Sequence, residues 1–216
     1  VMGRVPTTGV GVIAAAAVGL TVCDAAVATP TKPPNIFFLM MDDVGQKDVG
    51  WRDPSVLTPT LSSLAADGVM LSAMYTWHWC APSRTSFLTG RYAPRHGYEA
   101  GGDGPSQTGV QMAPLKFPLL PQALKEVAQY TTIMTGKYHL GYASHAHLPE
   151  NRGFDQYLGY LTGAEDHYTH AKTPVPACPT TDLWRGGKGV LSGPANETRY
   201  FPMYSTYIWT EFLQQQ

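Results

Sequence analysis

The stretch "NIFFLMM", Asn35–Met41, runs apolar without alternation and stops on Asp42-Asp43-Val44-Gly45. A strand with one wet face alternates polar and apolar side chains, so an unbroken run reads as a strand covered on both faces, as in a parallel sheet between helices. The theme recurs downstream. Thr58 precedes Pro59, with Leu61, Leu64 and Ala65 on one helical face and Gly68 as the stop. "VMLSAMY", Val69–Tyr75, reads as a second strand, and Pro82 opens another helix that Gly90 ends. "LLPQALKEVAQ" follows as a helix, then "YTTIMT", Tyr130–Thr135, as a third strand. Strands alternating with helices in this order predict a doubly wound α/β sheet. From Glu150 onward aromatics, glycines and prolines mix without period, which predicts long loops and a short helix near Tyr204–Phe212.

Composition narrows the setting of such a sheet. A chain of 216 residues, 44% hydrophobic and 14% charged, has the make-up of one globular domain with a core. Its net charge of -1 offers no basic surface to nucleic acid. At the amino end, Arg4 is followed by "GVGVIAAAAVGLTV" and then Ala26-Val27-Ala28, a small-x-small cleavage pattern. Residues 1–28 therefore read as a signal peptide, 29–34 as a linker and 35–216 as the domain. The apolar run is short of the roughly 20 residues a membrane span requires, so no stable span is expected. Secretion would remove Cys23 and leave Cys80 and Cys178, which could form one disulfide in an oxidising compartment. Asn196-Glu197-Thr198 is a glycosylation sequon.

In open α/β sheets ligands collect beyond the carboxyl ends of the strands, and the polar clusters sit there. Asp42 and Asp43 follow the first expected strand, Cys80 and Arg84 the second, Lys137 and His139 the third. Adjacent carboxylates repel unless neutralised, which suits a hard cation such as Ca²⁺; a solvated Asp-Asp turn is the plainer reading. Cys80 lies just ahead of a helix start, with Arg84 nearby, where positive charge favours a nucleophile or an anionic substrate group; a buried or disulfide-bonded cysteine is the alternative. Lys137 and His139, two apart on extended chain, would point to one side and offer a charge and a proton acceptor. His145 and His147 lack a matching third ligand and read as a loop.

Taken together the motifs are more specific than any one of them. "CAPSRTSFLTGR", Cys80–Arg91, resembles the signature of the sulfatase family, a cysteine followed by x-Pro-Ser-Arg and later Thr-Gly-Arg. "NIFFLMMDDVGQKDVG" resembles that family's opening strand and metal-binding Asp pair, and "GKYHLG" its Gly-Lys-Trp-His-Leu-Gly motif with Tyr138 in place of Trp. "RGFDQYLGYLTGAEDHYTH" and "MYST" look most like the arylsulfatase B subgroup. The resemblance implies an alkaline-phosphatase-like doubly wound mixed sheet flanked by helices. It also implies a sulfuric ester hydrolase acting on sulfated sugars, with aryl sulfates as surrogates.

In that family the signature cysteine is oxidised to formylglycine, whose hydrate is the nucleophile. Cys80 would be its precursor, made by the formylglycine-generating enzyme in the secretory pathway, and the protein would be lysosomal or extracellular. The resemblance assigns Ca²⁺ to Asp42, Asp43 and modified Cys80, and support of the formylglycine to Arg84. It gives Lys137 a contact with sulfate, and has His139 hydrogen-bond the nucleophile's hydroxyls or take its proton. Family members are longer and add an Asp-Asn pair, a His and a second Lys. The chain therefore reads as the amino-terminal portion, with its carboxyl side missing and weak or no activity by itself. A catalytically inert secreted protein that binds anionic glycans or a partner is the alternative.

Overall fold

Sheet pairing begins at β1, Ile133–Lys137, a position that the run Tyr130–Thr135 predicts to within a few residues. The structure, a computed structural model, describes residues 33–98, 112–172, 181–195 and 197–216. The expected leader at 1–28, Cys178 and Asn196 lie outside the described residues. The chain divides into two units, 1–37 and 38–216, and of the first only 33–37 are described, all exposed.

Three further strands follow in the region read as loops: β2 (Gln156–Tyr160), β3 (Trp184–Gly187) and β4 (Val190–Pro194). The sheet order is β1-β2-β3-β4, with β1 and β2 parallel and the other two pairs antiparallel. The β1–β2 connection carries two 3₁₀ turns, His145–His147 and Pro149–Arg152. Close approach of the parallel pair depends on glycine: a Cβ at Gly159 would lie 2.0 Å from the Gly136 carbonyl oxygen. Their register sets Lys137 beside Tyr160.

The rule that an unalternating strand is buried on both faces holds at β2, where Tyr157 and Leu158 are both fully buried on opposite faces. Tyr157 joins Leu119, Tyr138, Leu140, Leu148 and Phe154 in one core. Leu158 joins Leu183, Tyr200, Ile208 and Phe212 in the other.

Helices α1 (Pro59–Asp67), α2 (Cys80–Thr89), α3 (Ala93–His96) and α4 (Leu120–Ala128) precede the sheet. Helices α5 (Glu197–Tyr200) and α6 (Ser205–Gln214) follow it. Helix α2 starts two residues earlier than its proline predicts and closes on Gly90 in the left-handed conformation, φ 64°. Helix α4 is tied to the entry of β2 by Lys125 and Asp155, 2.6 Å apart.

Two expected strands are corrected. Neither Asn35–Met41 nor Val69–Tyr75 forms a strand; both are non-regular and mostly exposed, Val69 at 89%. Apolar sequence supplies the tendency to extend, but a strand exists only where another backbone answers its N–H and C=O groups. Phe38 stacks on Phe87 of α2, with ring centroids 3.9 Å apart.

Candidate active site

The main cluster is assembled from three distant stretches of chain. Lys137, the last residue of β1, places Nζ 2.7 Å from Asp42 Oδ2, and its side chain is 9% exposed. Arg84 reaches the same oxygen from α2, with Nη2 at 3.1 Å. Its Nη1 donates to the main-chain carbonyl of Lys137 at 2.7 Å, so one guanidinium fixes both the carboxylate and the strand end.

Partial burial pushes the Asp42 carboxyl up, but the hydrogen bond and charge of Lys137, then those of Arg84, outweigh it and hold the group below the usual carboxylate range. The cluster carries two cations against this one carboxylate, an excess of positive charge suited to an anion.

Cys80 opens α2, where the unpaired N–H groups of the first turn carry positive potential. It is a half-buried free thiol. Arg84 follows one helical turn later, so the two project from the same helical face. Ser83 secures this turn by donating to the Trp77 carbonyl at 2.7 Å.

His139 corrects the expectation of extended chain. Its backbone is left-handed, φ 53°, so it does not share a face with Lys137 by strand alternation. The side chain is nonetheless buried and senses the same charges. Burial first, then the Lys137 and Arg84 cations, push its pKa down to about 3, with Lys172 adding and Asp42 opposing. Its Nδ1 is buried without a hydrogen-bond partner.

Asp43 is exposed on a left-handed bend, φ 52°, with no hydrogen bond or ion pair among the described residues. Among those residues no three His, Cys, Asp or Glu side chains converge as metal ligands. The carboxylate oxygens of Asp42, half-exposed, and Asp43 are the right kind of donor for Ca²⁺. Two carboxylates offer about four oxygens where Ca²⁺ takes about six to eight, so the described residues fit the ion and furnish part of its shell.

His145 and His147 remain apart from the cluster, with His147 Nδ1 2.8 Å from Ser144 Oγ. Clefts of about 410 Å³ and 580 Å³ are lined by other residues, among them Arg185 and Lys188 in the first and Gln122 and Arg152 in the second. Tyr160 and Lys172 escape sequence reasoning. Tyr160 is buried, and desolvation raises its hydroxyl pKa while Arg84 and Asp42 act on it in opposite senses. Only its place two residues into "LGYLTG" hinted at a strand end.

A family profile described as Sulfatase matches residues 34–212. The chain belongs to the sulfatase family. Arylsulfatase J of Mus musculus is 38% identical over 185 residues, covering 86% of this chain and 29% of that protein. N-acetylgalactosamine-6-sulfatase of Canis lupus familiaris is 38% identical over 135 residues, covering 59% of this chain and 26% of that protein. Among solved structures Ps i-CgsB aligns with a TM-score of 0.60 at 26% identity, covering 81% of this chain and 40% of that one. The fold is thus the expected alkaline-phosphatase-like α/β architecture with a mixed sheet. This sulfatase chain spans less than a third of the length of the curated relatives. Among the described residues no helix is long and apolar enough to cross a membrane.

Proposed function

We propose that this chain carries the nucleophile side of a sulfuric ester hydrolase acting on sulfated sugars, with formylglycine formed from Cys80 and Ca²⁺ held by Asp42 and Asp43. The supporting observation is the meeting of Asp42, Arg84 and Lys137 at one carboxylate oxygen, with Cys80 a helical turn from Arg84. The names of relatives such as N-acetylgalactosamine-6-sulfatase support sulfated sugar as the substrate class.

Formylglycine at position 80 would, once hydrated, offer one hydroxyl to sulfur as the alcohol leaves, and loss of the other hydroxyl's proton would expel sulfate and restore the aldehyde. Asp42 and Asp43 would hold Ca²⁺, which would supply positive charge to offset the negative charge developing on the nucleophile and the transferring group. The remaining work belongs to the chain. Lys137 presents an ammonium that a sulfate oxygen takes over from Asp42, and the negative charge spread over the transferring group is stabilised there. Arg84 holds the Lys137 carbonyl and so keeps that ammonium at the site through the exchange. His139, kept neutral by burial and by the two cations, can accept a hydrogen bond from the nucleophile's hydroxyl and so orient it. Maturation requires the formylglycine-generating enzyme and hence the secretory pathway, ending in the lysosome or outside the cell.

The test is peptide mass spectrometry of position 80 on protein from secretory cells, joined to hydrolysis of a small aryl sulfate. Conversion of Cys80 is expected, and Cys80→Ala should abolish whatever turnover the chain shows. Unmodified Cys80 throughout, or turnover that survives Cys80→Ala, overturns the assignment.

A further inference from the structure

Beyond the Asp42 cluster the chain buries a second set of ionisable groups. The Glu165 side chain is fully buried and accepts a hydrogen bond from Ser205 Oγ at 2.7 Å. The same hydroxyl lies 3.3 Å from Nδ1 of His170 and 3.1 Å from the His167 carbonyl. Among the described residues Glu165 Oε2 and His170 Nε2 are buried without hydrogen-bond partners, and His170 is held in the left-handed conformation, φ 54°. An apolar plug would fill this space without leaving two polar atoms unanswered, so the groups are out of place as mere packing.

Their position connects them to the proposed active site. Ser205 is the first residue of α6, and Trp209, one turn later, packs on β1, where a Cβ at Gly136 would lie 3.9 Å from its indole. The Trp209 ring is 6.4 Å from that of Tyr160 on β2. Gly136 and Tyr160 are the chain and cross-strand neighbours of Lys137. The end of α6 fixed by Glu165 therefore decides how the helix leans on the strand tip that bears Lys137.

We propose that Glu165, Ser205 and His170 form a proton-dependent latch that seats α6 against the β1–β2 pair and thereby positions Lys137. The role given to Lys137 rests on the sulfatase reading above; the latch itself does not. Glu165 is faced by Asp182 from the segment before β3, by Asp166, His167 and His170 from its own loop, by Ser205 from α6, and by Tyr157 and Tyr160 from β2. Among the described residues no Lys or Arg pairs with it. Burial, chiefly, with the Asp182 and Asp166 charges, pushes Glu165 up to about 7 against the pull of Ser205. In acid the carboxyl keeps its proton and the latch is closed. Above neutrality an ionised carboxylate with one hydroxyl donor sits beside two other carboxylates, and α6 loosens.

The experiment follows Trp209 emission, as the difference between the whole 216-residue chain and its Trp209→Phe variant, from about pH 5 to pH 9. A single transition near pH 7 is expected, with inorganic sulfate binding several-fold weaker on its alkaline side. Glu165→Gln should remove both effects. Glu165→Asp, which keeps the acid but shortens its reach to Ser205, should move the midpoint and covers the case in which Glu165→Gln does not fold. A transition that persists in Glu165→Gln, or an unmoved midpoint in Glu165→Asp, overturns the latch. Unmodified Cys80 throughout, with the transition intact, would instead count against the sulfatase reading alone.

Discussion

Lys137 and His139, two apart in sequence, take different places in one cluster. Lys137 is an ammonium paired with Asp42, and its replacement by Met leaves a carboxylate with Arg84 as its sole cation. Lys137→Met is expected to lower aryl sulfate turnover by about 10²- to 10³-fold, the loss typical of one transition-state donor, as steady-state kinetics will show. His139 is the neutral partner. With its pKa moved from 6.5 to about 3, the imidazole contributes stability present above about pH 6.5 and lost as pH falls toward 3. NMR of the ring should show His139 silent between about pH 8 and 5, and added sulfate, which offsets the Lys137 and Arg84 charges, should draw its titration upward. Sequence made Asp42, Arg84 and Lys137 legible because each interrupts or follows an apolar run. It could not reveal the left-handed turn at His139, nor that Lys172, far along the chain, adds its charge there. Those are consequences of tertiary path, for which no local pattern exists.

Helices were easier to read than strands because their contacts are local. Helices α1, α2, α4 and α6 each carry a proline, a glycine stop or an apolar face in the sequence, whereas β2, β3 and β4 are short and rich in glycine and aromatics. Their pairing depends on partners far away in the chain, and glycine, a poor strand former, is present in β2 for a tertiary reason. Gly159→Ala sets a methyl 2.0 Å from the Gly136 oxygen and forces apart the two strands that carry Lys137 and Tyr160. It is expected to cost about 3 kcal/mol, at the upper end for overpacking. Gly90→Ala meets nothing within 4 Å and bears only the left-handed backbone, for about 1 kcal/mol. Urea unfolding of the two variants should separate them by that margin; equal losses would mean that the β1–β2 approach is not tight.

At the scale of the whole molecule the apolar runs that misled the strand assignment become surface. Phe38, Leu39 and Met41 are exposed, as are Val69, Met70, Leu71 and Met74, and β1 ends the sheet on one side among the described residues. Exposed apolar chain and an open sheet edge each invite contact with another copy, and natural proteins rarely leave such features uncovered. The net charge of -1 gives little repulsion to oppose contact between copies. The chain should therefore associate with rising concentration at micromolar levels, seen as growing mass in sedimentation velocity. Leu39→Lys with Leu71→Lys places a charge in each run without touching the Asp42 cluster, and should shift the balance back toward monomer while helix content by circular dichroism stays unchanged. If the unmodified chain sediments as a monomer at every concentration, the two exposed runs do not drive association.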